Sequence, residues 1–344
     1  MLVTTSPARI LIVRLGALGD VVHAMPVVAA IKRALPAAQV DWLIDPRYAA
    51  VVRMVRGLGD AIPFDPRGLL RGGDRAATMA TLRSIRGRDY DAVLDLQGLL
   101  KSAVVARLVG GKRTIGFARQ QLREPLARLF YSDAIDTSAT THIIEKNLAV
   151  LGALGMTTTT PEFPLDLPPS AAAAEVQARM GGQGFVVLNP GAAWPNKRWP
   201  ADRFGALAAS VRARTGMRSL VLWGPGEEAL ADNVVAHSDG AAERSPRTGI
   251  LDLFAVTHAA RLVVSGDTGP LHIAAAVGTP VVALFGPTFP ERNGPWQAAD
   301  ISLSEASRCE CHYQRTCRRA VPCIDAITGD AVLDAVTRRL AHVS

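Results

Sequence analysis

Two glycine-containing turns, one near each end of the chain, set narrow limits on the fold. The first, Arg14-Leu-Gly-Ala-Leu-Gly-Asp20, directly follows the apolar run Ile10-Leu-Ile-Val13. The second, Ser265-Gly-Asp-Thr-Gly-Pro-Leu-His272, directly follows Leu262-Val-Val264. Each joins a short strand of buried type to an apolar helical stretch. That puts both at the carboxyl end of a strand, where open α/β sheets bind their ligands. The first turn offers a carboxylate, and the second offers backbone N–H groups and a hydroxyl. The pair predicts two α/β halves, with a base on one wall of a cleft and an anion site on the other.

The pattern between the turns agrees. Residues 10–13, 40–44, 92–96 and 114–117 read as strands, and 22–34, 76–85 and 99–108 as helices by their apolar spacing. Strands separated by helices of that length form βαβ units and a parallel sheet. A proline-bearing stretch follows, Thr157-Thr-Thr-Thr-Pro161 and Phe163-Pro-Leu-Asp-Leu-Pro-Pro169, which breaks helix and leaves few donors for a sheet. The alternation then restarts with strands over 185–188, 219–223, 261–264 and 281–285, and 330–342 reads as a terminal helix. The expected domains are therefore 1–168 and 169–344, both Rossmann-like, with a last helix able to pack back on the first.

At 344 residues the chain has room for two full cores, and 49% hydrophobic with 20% charged residues suits a globular enzyme. No apolar run reaches the ~18–20 residues of a membrane span. Arg14, Asp20 and His23 interrupt the N-terminal stretch, so it does not read as a signal peptide, and a cytoplasmic location is expected. The net charge of +7 favours anionic partners. Aromatics are only 5%, with no aromatic–basic interleaving, which argues against nucleic acid.

Individual residues leave choices open. Gly16-Ala-Leu-Gly19-Asp20 is not a dinucleotide fingerprint. Spacing alone makes Asp20 a helix cap worth ~1 kcal/mol rather than a general base. Asp267, Thr268 and Gly269 precede Pro270, which suits a first helical position, and free N–H groups there would meet an anion. His272, one turn further, either faces that ligand or is a half-buried, hydrogen-bonded histidine. Lys197 and Arg198 lie on a strand-end loop and are either solvated or placed to meet a leaving diphosphate. Glu227 either accepts from ribose hydroxyls or caps a helix. Eight arginines lie between Arg53 and Arg88, Arg67 and Arg71 among them, and form either a solvated surface or a site for a phosphorylated acceptor or an anionic membrane. All four cysteines, Cys309, Cys311, Cys317 and Cys323, fall in one short stretch without a paired C-x-x-C. They read equally as a structural metal site or as a loop of reduced thiols.

Five motifs in order resemble the ADP-heptose:lipopolysaccharide heptosyltransferases, glycosyltransferase family 9. They are Val13-Arg-Leu-Gly-Ala-Leu-Gly-Asp-Val-Val-His23, Asp95-Leu-Gln-Gly-Leu-Leu-Lys-Ser102, Arg123-Glu-Pro-Leu126, Lys197-Arg-Trp-Pro200 and Gly266-Asp-Thr-Gly-Pro-Leu-His272. The second and third look most like the first enzyme of the series. The resemblance implies a GT-B fold, two Rossmann-like doubly wound domains facing across a cleft, and an inverting transfer from ADP-heptose to the Kdo of Kdo-lipid A with no required metal or cofactor. It also implies work on the cytoplasmic face of the inner membrane, against an anionic surface. Asp20 matches the catalytic base and Lys197 the basic residue near the phosphates. Ala192, Ala193, Glu227, Asp267, Thr268, Gly269 and His272 fall on the donor side. Gly19, Asp95, Gln97, Lys101, Arg67, Arg71 and Arg123 fall on the acceptor side. Two features depart from the family pattern: Ala192 and Ala193 stand where some members carry hydroxyls, and the cysteine stretch is more usual in the second heptosyltransferase. The rivals are a relative using another acceptor or nucleotide sugar, a nucleotide-sugar epimerase of the same architecture, and a non-catalytic anion-binding protein.

Overall fold

The computed structural model describes residues 8–69, 74–157, 160–181 and 184–342. The chain divides into two compact units, Met1–Asp166 and Leu167–Ser344.

The first unit runs β1 (Arg9–Val13), α1 (Leu18–Ala34), β2 (Gln39–Ile44), α2 (Ala49–Val52), β3 (Ala61–Pro63), α3 (Arg75–Arg86), β4 (Ala92–Asp95), α4 (Leu100–Leu108), β5 (Arg113–Phe117), β6 (Asp133–Ile135) and α5 (Ile143–Ala149). Its six strands are parallel and ordered β3-β2-β1-β4-β5-β6. The second unit runs α6 (Ala171–Met180), β7 (Phe185–Asn189), α7 (Ala201–Thr215), β8 (Arg218–Val221), α8 (Glu228–Ala236), β9 (Ala242–Arg244), α9 (Ile250–Ala259), β10 (Leu262–Gly266), α10 (Gly269–Ala276), β11 (Val281–Phe285), α11 (Pro290–Asn293), β12 (Ile301–Ser304) and α12 (Gly329–Ala341). Its parallel order, β12-β11-β10-β7-β8-β9, repeats that of the first unit when strands are counted from β7. Both are the doubly wound order of a dinucleotide-type Rossmann fold.

The central strands are continuous apolar runs because helices cover both faces of a parallel sheet. Residues Ile10 to Val13 and Val281 to Phe285 are fully buried. In each sheet the strand order reverses between two neighbours, β1 and β4 in one and β7 and β10 in the other. Such a switch point opens a crevice beyond the carboxyl ends of the strands. The two glycine turns follow β1 and β10, so each stands at a switch point.

The proline-bearing stretch is pinned to the first unit. Leu165 bridges Val55, the Arg56 N–H donates to the Pro164 carbonyl at 2.6 Å, and the Asp166 N–H donates to the Met54 carbonyl at 2.8 Å. Helix α12 packs on α7 and β11, and its Arg339 pairs with buried Asp300 at 2.9 Å. Among the described residues, no helix is long and apolar enough to cross a membrane.

Candidate active site

At the first switch point, Asp20 is the third residue of α1, where a carboxylate meets the positive end of the helix dipole. Its Oδ2 accepts from the Ala17 N–H at 3.3 Å and pairs with the Arg14 guanidinium at 2.7 Å. Asp20 thus does hold the helix end, yet its side chain is 44% exposed and open to a ligand. Arg14 is buried and donates to the Leu96 carbonyl, which fixes the partner of Asp20 on the β4 side of the switch.

The loop after β4 is tied to the loop after β1. Gln97 Oε1 accepts from the Leu15 N–H at 2.9 Å. Asp95, expected to meet an acceptor, has no exposed surface. Its Oδ2 accepts from Tyr131 at 2.8 Å and Ser102 at 2.9 Å, and its Oδ1 from the Gln97 and Gly98 N–H groups at 2.9 and 3.2 Å. Burial pushes its carboxyl above the usual range, against the pull of these four donors. Asp95 therefore shapes the turn that presents Gln97, with its carboxylate oxygens taken up by these four donors. Gly98 sits at φ +68°, and a Cβ there would lie 3.0 Å from Leu122 Cδ2, so the turn accepts only glycine without strain.

Gly19 lies beside Asp20 in the first turn of α1, and Lys101 and Arg123 are exposed. Arg67 is exposed as well, paired to Asp65 at 2.8 Å. Arg71 lies outside the described residues.

At the second switch point a buried charge cluster forms around Asp267. Its Oδ2 takes Lys197 Nζ at 2.5 Å and the Thr288 hydroxyl at 2.7 Å, and its Oδ1 takes Asn293 Nδ2 at 2.5 Å with His272 Nε2 3.4 Å away. Burial acts to raise the carboxyl, but His272 and Lys197 overcome it and hold Asp267 well below the ordinary carboxylate range. Lys197 also lies 4.6 Å over the Trp194 ring. Its loop is anchored two residues on by Trp199, which is buried edge-on against Phe204 at 4.9 Å and donates to the Ile327 carbonyl at 2.9 Å.

Asn189, the last residue of β7, donates to Ser265 Oγ and Thr268 Oγ1, both at 2.9 Å, and so stitches this switch point as Gln97 stitches the other. Thr268 is the N-cap of α10 and Gly269 its first residue. The N–H end of that helix suits a phosphate. Ala192 is buried, Ala193 is exposed, and the Ala192 carbonyl accepts from Arg198 Nε at 2.8 Å.

Glu227 is the N-cap residue of α8 and accepts from the Gly224 N–H at 3.0 Å. A Cβ on Gly191 would stand 2.3 Å from Glu227 Oε2, so glycine is what lets this carboxylate reach the β7 loop. Beside it, Trp223, Gly224, Gly226, Arg247 and Thr248 line a cavity of about 530 Å³. That volume falls in the range of small-molecule sites.

The cysteines come together: Cys309, Cys311 and Cys323 are buried in one cluster with Cys317 against it, all as free thiols. The Cys309 and Cys311 sulfurs are 3.5 Å apart, and burial pushes the Cys309 and Cys323 thiols up. Among the described residues, no three His, Cys, Asp or Glu side chains are arranged to hold a metal ion. Asn196, next to Lys197, donates to the Gln314 carbonyl at 3.0 Å and ties the cysteine loop to the Lys197 loop.

The family model for glycosyltransferase family 9 (heptosyltransferase) matches residues 78–321, which take in the β4 loop, Lys197 and the whole Asp267 cluster. The chain belongs to glycosyltransferase family 9. It is similar to lipopolysaccharide heptosyltransferase 1 of Pseudomonas aeruginosa, with 31% identity covering 90% of this chain and 87% of that protein. It is also similar to the solved Escherichia coli heptosyltransferase WaaC with ADP, at 25% identity and TM-score 0.78 over 96% of this chain and 99% of that one. The E. coli ADP-heptose heptosyltransferase II, at 18% identity and TM-score 0.75 over 97% and 98%, shares the fold. The family 9 chain is thus a glycosyltransferase of GT-B type, with resemblance to the first heptosyltransferase among them.

Several partners of the family 9 site escape sequence reading. Thr288 ends the Gly286-Pro-Thr288 turn after β11, a strand-end position that marks it in hindsight. Asn189 is itself the last residue of β7. Tyr131 and Asn293 carry no local signal, because each acts on a carboxylate brought near only by the fold, whereas Arg14 shares its turn with Asp20.

Proposed function

We propose that the chain moves L-glycero-D-manno-heptose from ADP-heptose to the Kdo of the lipopolysaccharide inner core, with Kdo-lipid A as acceptor and inversion at the anomeric carbon. The observation that carries this reading is the chemistry of the two switch points: an accessible carboxylate, Asp20, in one unit, and an anion-binding set in the other. Asp20 takes the proton of the attacking Kdo hydroxyl as that oxygen bonds to the anomeric carbon. The bond from that carbon to the β-phosphate oxygen breaks, and ADP leaves with the electron pair. Lys197 and the N-terminal end of α10 at Thr268 and Gly269 counter the charge growing on the diphosphate. His272 stays beside Asp267 and helps hold that end in shape. Glu227 and the adjacent cavity receive the nucleoside end. Gly19, Gln97, Lys101, Arg67, Arg71 and Arg123 serve the anionic acceptor, in keeping with the net charge of +7. No metal enters any of these steps, and the work is done at the cytoplasmic face of the inner membrane.

The ADP held by a solved relative and the names of the curated relatives support this donor and this product class. The test is to incubate the purified protein with ADP-heptose and either Kdo-lipid A or its heptosylated form, then weigh the products. Gain of one heptose on Kdo-lipid A alone is the expected result. Gain only on the heptosylated form would move the chain to the second transfer. Conversion of the sugar nucleotide without any acceptor would make it an epimerase.

A further inference from the structure

The segment Pro125–Phe130 takes no part in the transfer described above, yet it forms a one-sided surface. It is a 3-10 turn, with three residues per turn, so residues three apart stack along one edge. One edge carries Ala127, fully buried, and Phe130, half-buried. A second carries Pro125 and Arg128, whose guanidinium donates to the Tyr131 carbonyl at 2.9 Å. The third carries Leu126 and Leu129, exposed by 59% and 77%. A single exposed leucine is ordinary, but two stacked on one edge make an apolar patch.

The charges around that patch are predominantly positive, with Glu124 as the acidic exception. Arg119 and Arg123 are exposed just before it, and Arg128 lies within it. The nearby Glu124 carboxylate is engaged by the Leu100 N–H at 2.6 Å. Helix α4 packs against the turn and adds exposed Lys101 and Arg107, with Leu100 and Leu108 partly exposed at 37% and 44%.

We propose that this turn is a membrane foot, in which Leu126 and Leu129 enter the headgroup–acyl boundary of an anionic bilayer while Arg119, Arg123 and Arg128 bind lipid phosphates. An apolar edge within a basic rim is the chemistry of an anionic lipid interface, where inserted leucine and phosphate-bound arginine add to one another. The foot deepens the proposed function, since it rests on an acceptor that is itself anchored in the membrane.

The test is co-sedimentation with vesicles of phosphatidylglycerol and phosphatidylethanolamine, beside phosphatidylcholine controls. The intact protein is compared with the Leu126→Ser/Leu129→Ser variant. The intact protein is expected to bind the anionic vesicles and not the neutral ones. The variant should bind at least about tenfold more weakly, because each of the two inserted leucines is worth on the order of a kcal/mol or more. It should keep its melting temperature and its full rate on a water-soluble Kdo acceptor lacking lipid, while losing rate on Kdo-lipid A in vesicles. Equal vesicle binding by variant and parent, equal binding of the parent to neutral vesicles, or loss of the soluble reaction would each overturn the foot. Failure of the parent on every acceptor would refute the proposed transfer instead, and the vesicle result would still decide the foot.

Discussion

Replacing Lys197 by methionine keeps an unbranched side chain of similar length, gives up the contact of the cation with the Trp194 ring and removes the charge from a buried carboxylate. With Nζ and Oδ2 2.5 Å apart, the pair has a gross attraction of about 7 kcal/mol at an effective dielectric of 20. Most of that is offset by the desolvation of both charges, and breaking such a pair costs about 3–5 kcal/mol. Thr288, Asn293 and His272 still face Asp267 in the variant, which points to the lower end, about 3 kcal/mol. For a unit of this size that lowers the melting temperature of its transition by about 6–12 °C at neutral pH.

The pH dependence has a definite sign. The folded-state pKa of Asp267 is depressed, so its contribution is present above the unfolded value and is lost as pH falls toward the folded one. In the variant the carboxyl can protonate in the folded state, so acid costs the variant less than the parent. The gap between them should therefore narrow by about 1–2 kcal/mol between pH 5 and pH 3. Calorimetry of both proteins across that range measures it. A penalty below about 1 kcal/mol at neutral pH, or a gap that does not change with acid, would refute the buried pair as the organiser of this site.

Three further outcomes follow from the geometry. Asp20→Asn should lower transfer by about a hundredfold or more while costing about 1 kcal/mol of stability, since Asp20 is half exposed and buried Arg14 keeps its bond to the Leu96 carbonyl; turnover at the parent rate would remove Asp20 as base. Tyr131→Phe leaves a lone pair of buried Asp95 unmet and should cost about 1–3 kcal/mol in urea unfolding, whereas an unchanged midpoint would show that the hydroxyl does not hold the turn. Gly191→Ala drives a Cβ into the Glu227 carboxylate and should weaken ADP binding about tenfold by calorimetry, and parent-like affinity would place Glu227 outside the nucleotide site.

The inner strands were legible because burial on both faces writes them as unbroken apolar runs. All eight strands expected from the sequence occupy the four inner positions of the two sheets. The four that went unread, β3, β6, β9 and β12, are the edges. They are three or four residues long, and segments such as Ala242-Glu-Arg244 and Ile301-Ser-Leu-Ser304 are part exposed, so no continuous run marks them. The helix α1 begins before the expected residue 22, since Leu18 and Gly19 carry no helical signal of their own.

The site was legible where chemistry sits within a strand-end turn, as for Asp20, Asp267 and Thr268. It was misleading at Asp95, because an aspartate in a loop motif looks the same whether it faces a ligand or is enclosed by Tyr131 and Ser102. Only the folded chain tells the two apart.

The repeated strand order has an evolutionary consequence. Among the described residues, the partners of Asp267 come from the second unit and those of Asp95 from the first. Loops in one half are therefore free to lengthen or change chemistry without disturbing the other. A chimera that joins the first unit of one relative to the second unit of another should keep the nucleotide preference of its second parent and the acceptor preference of its first.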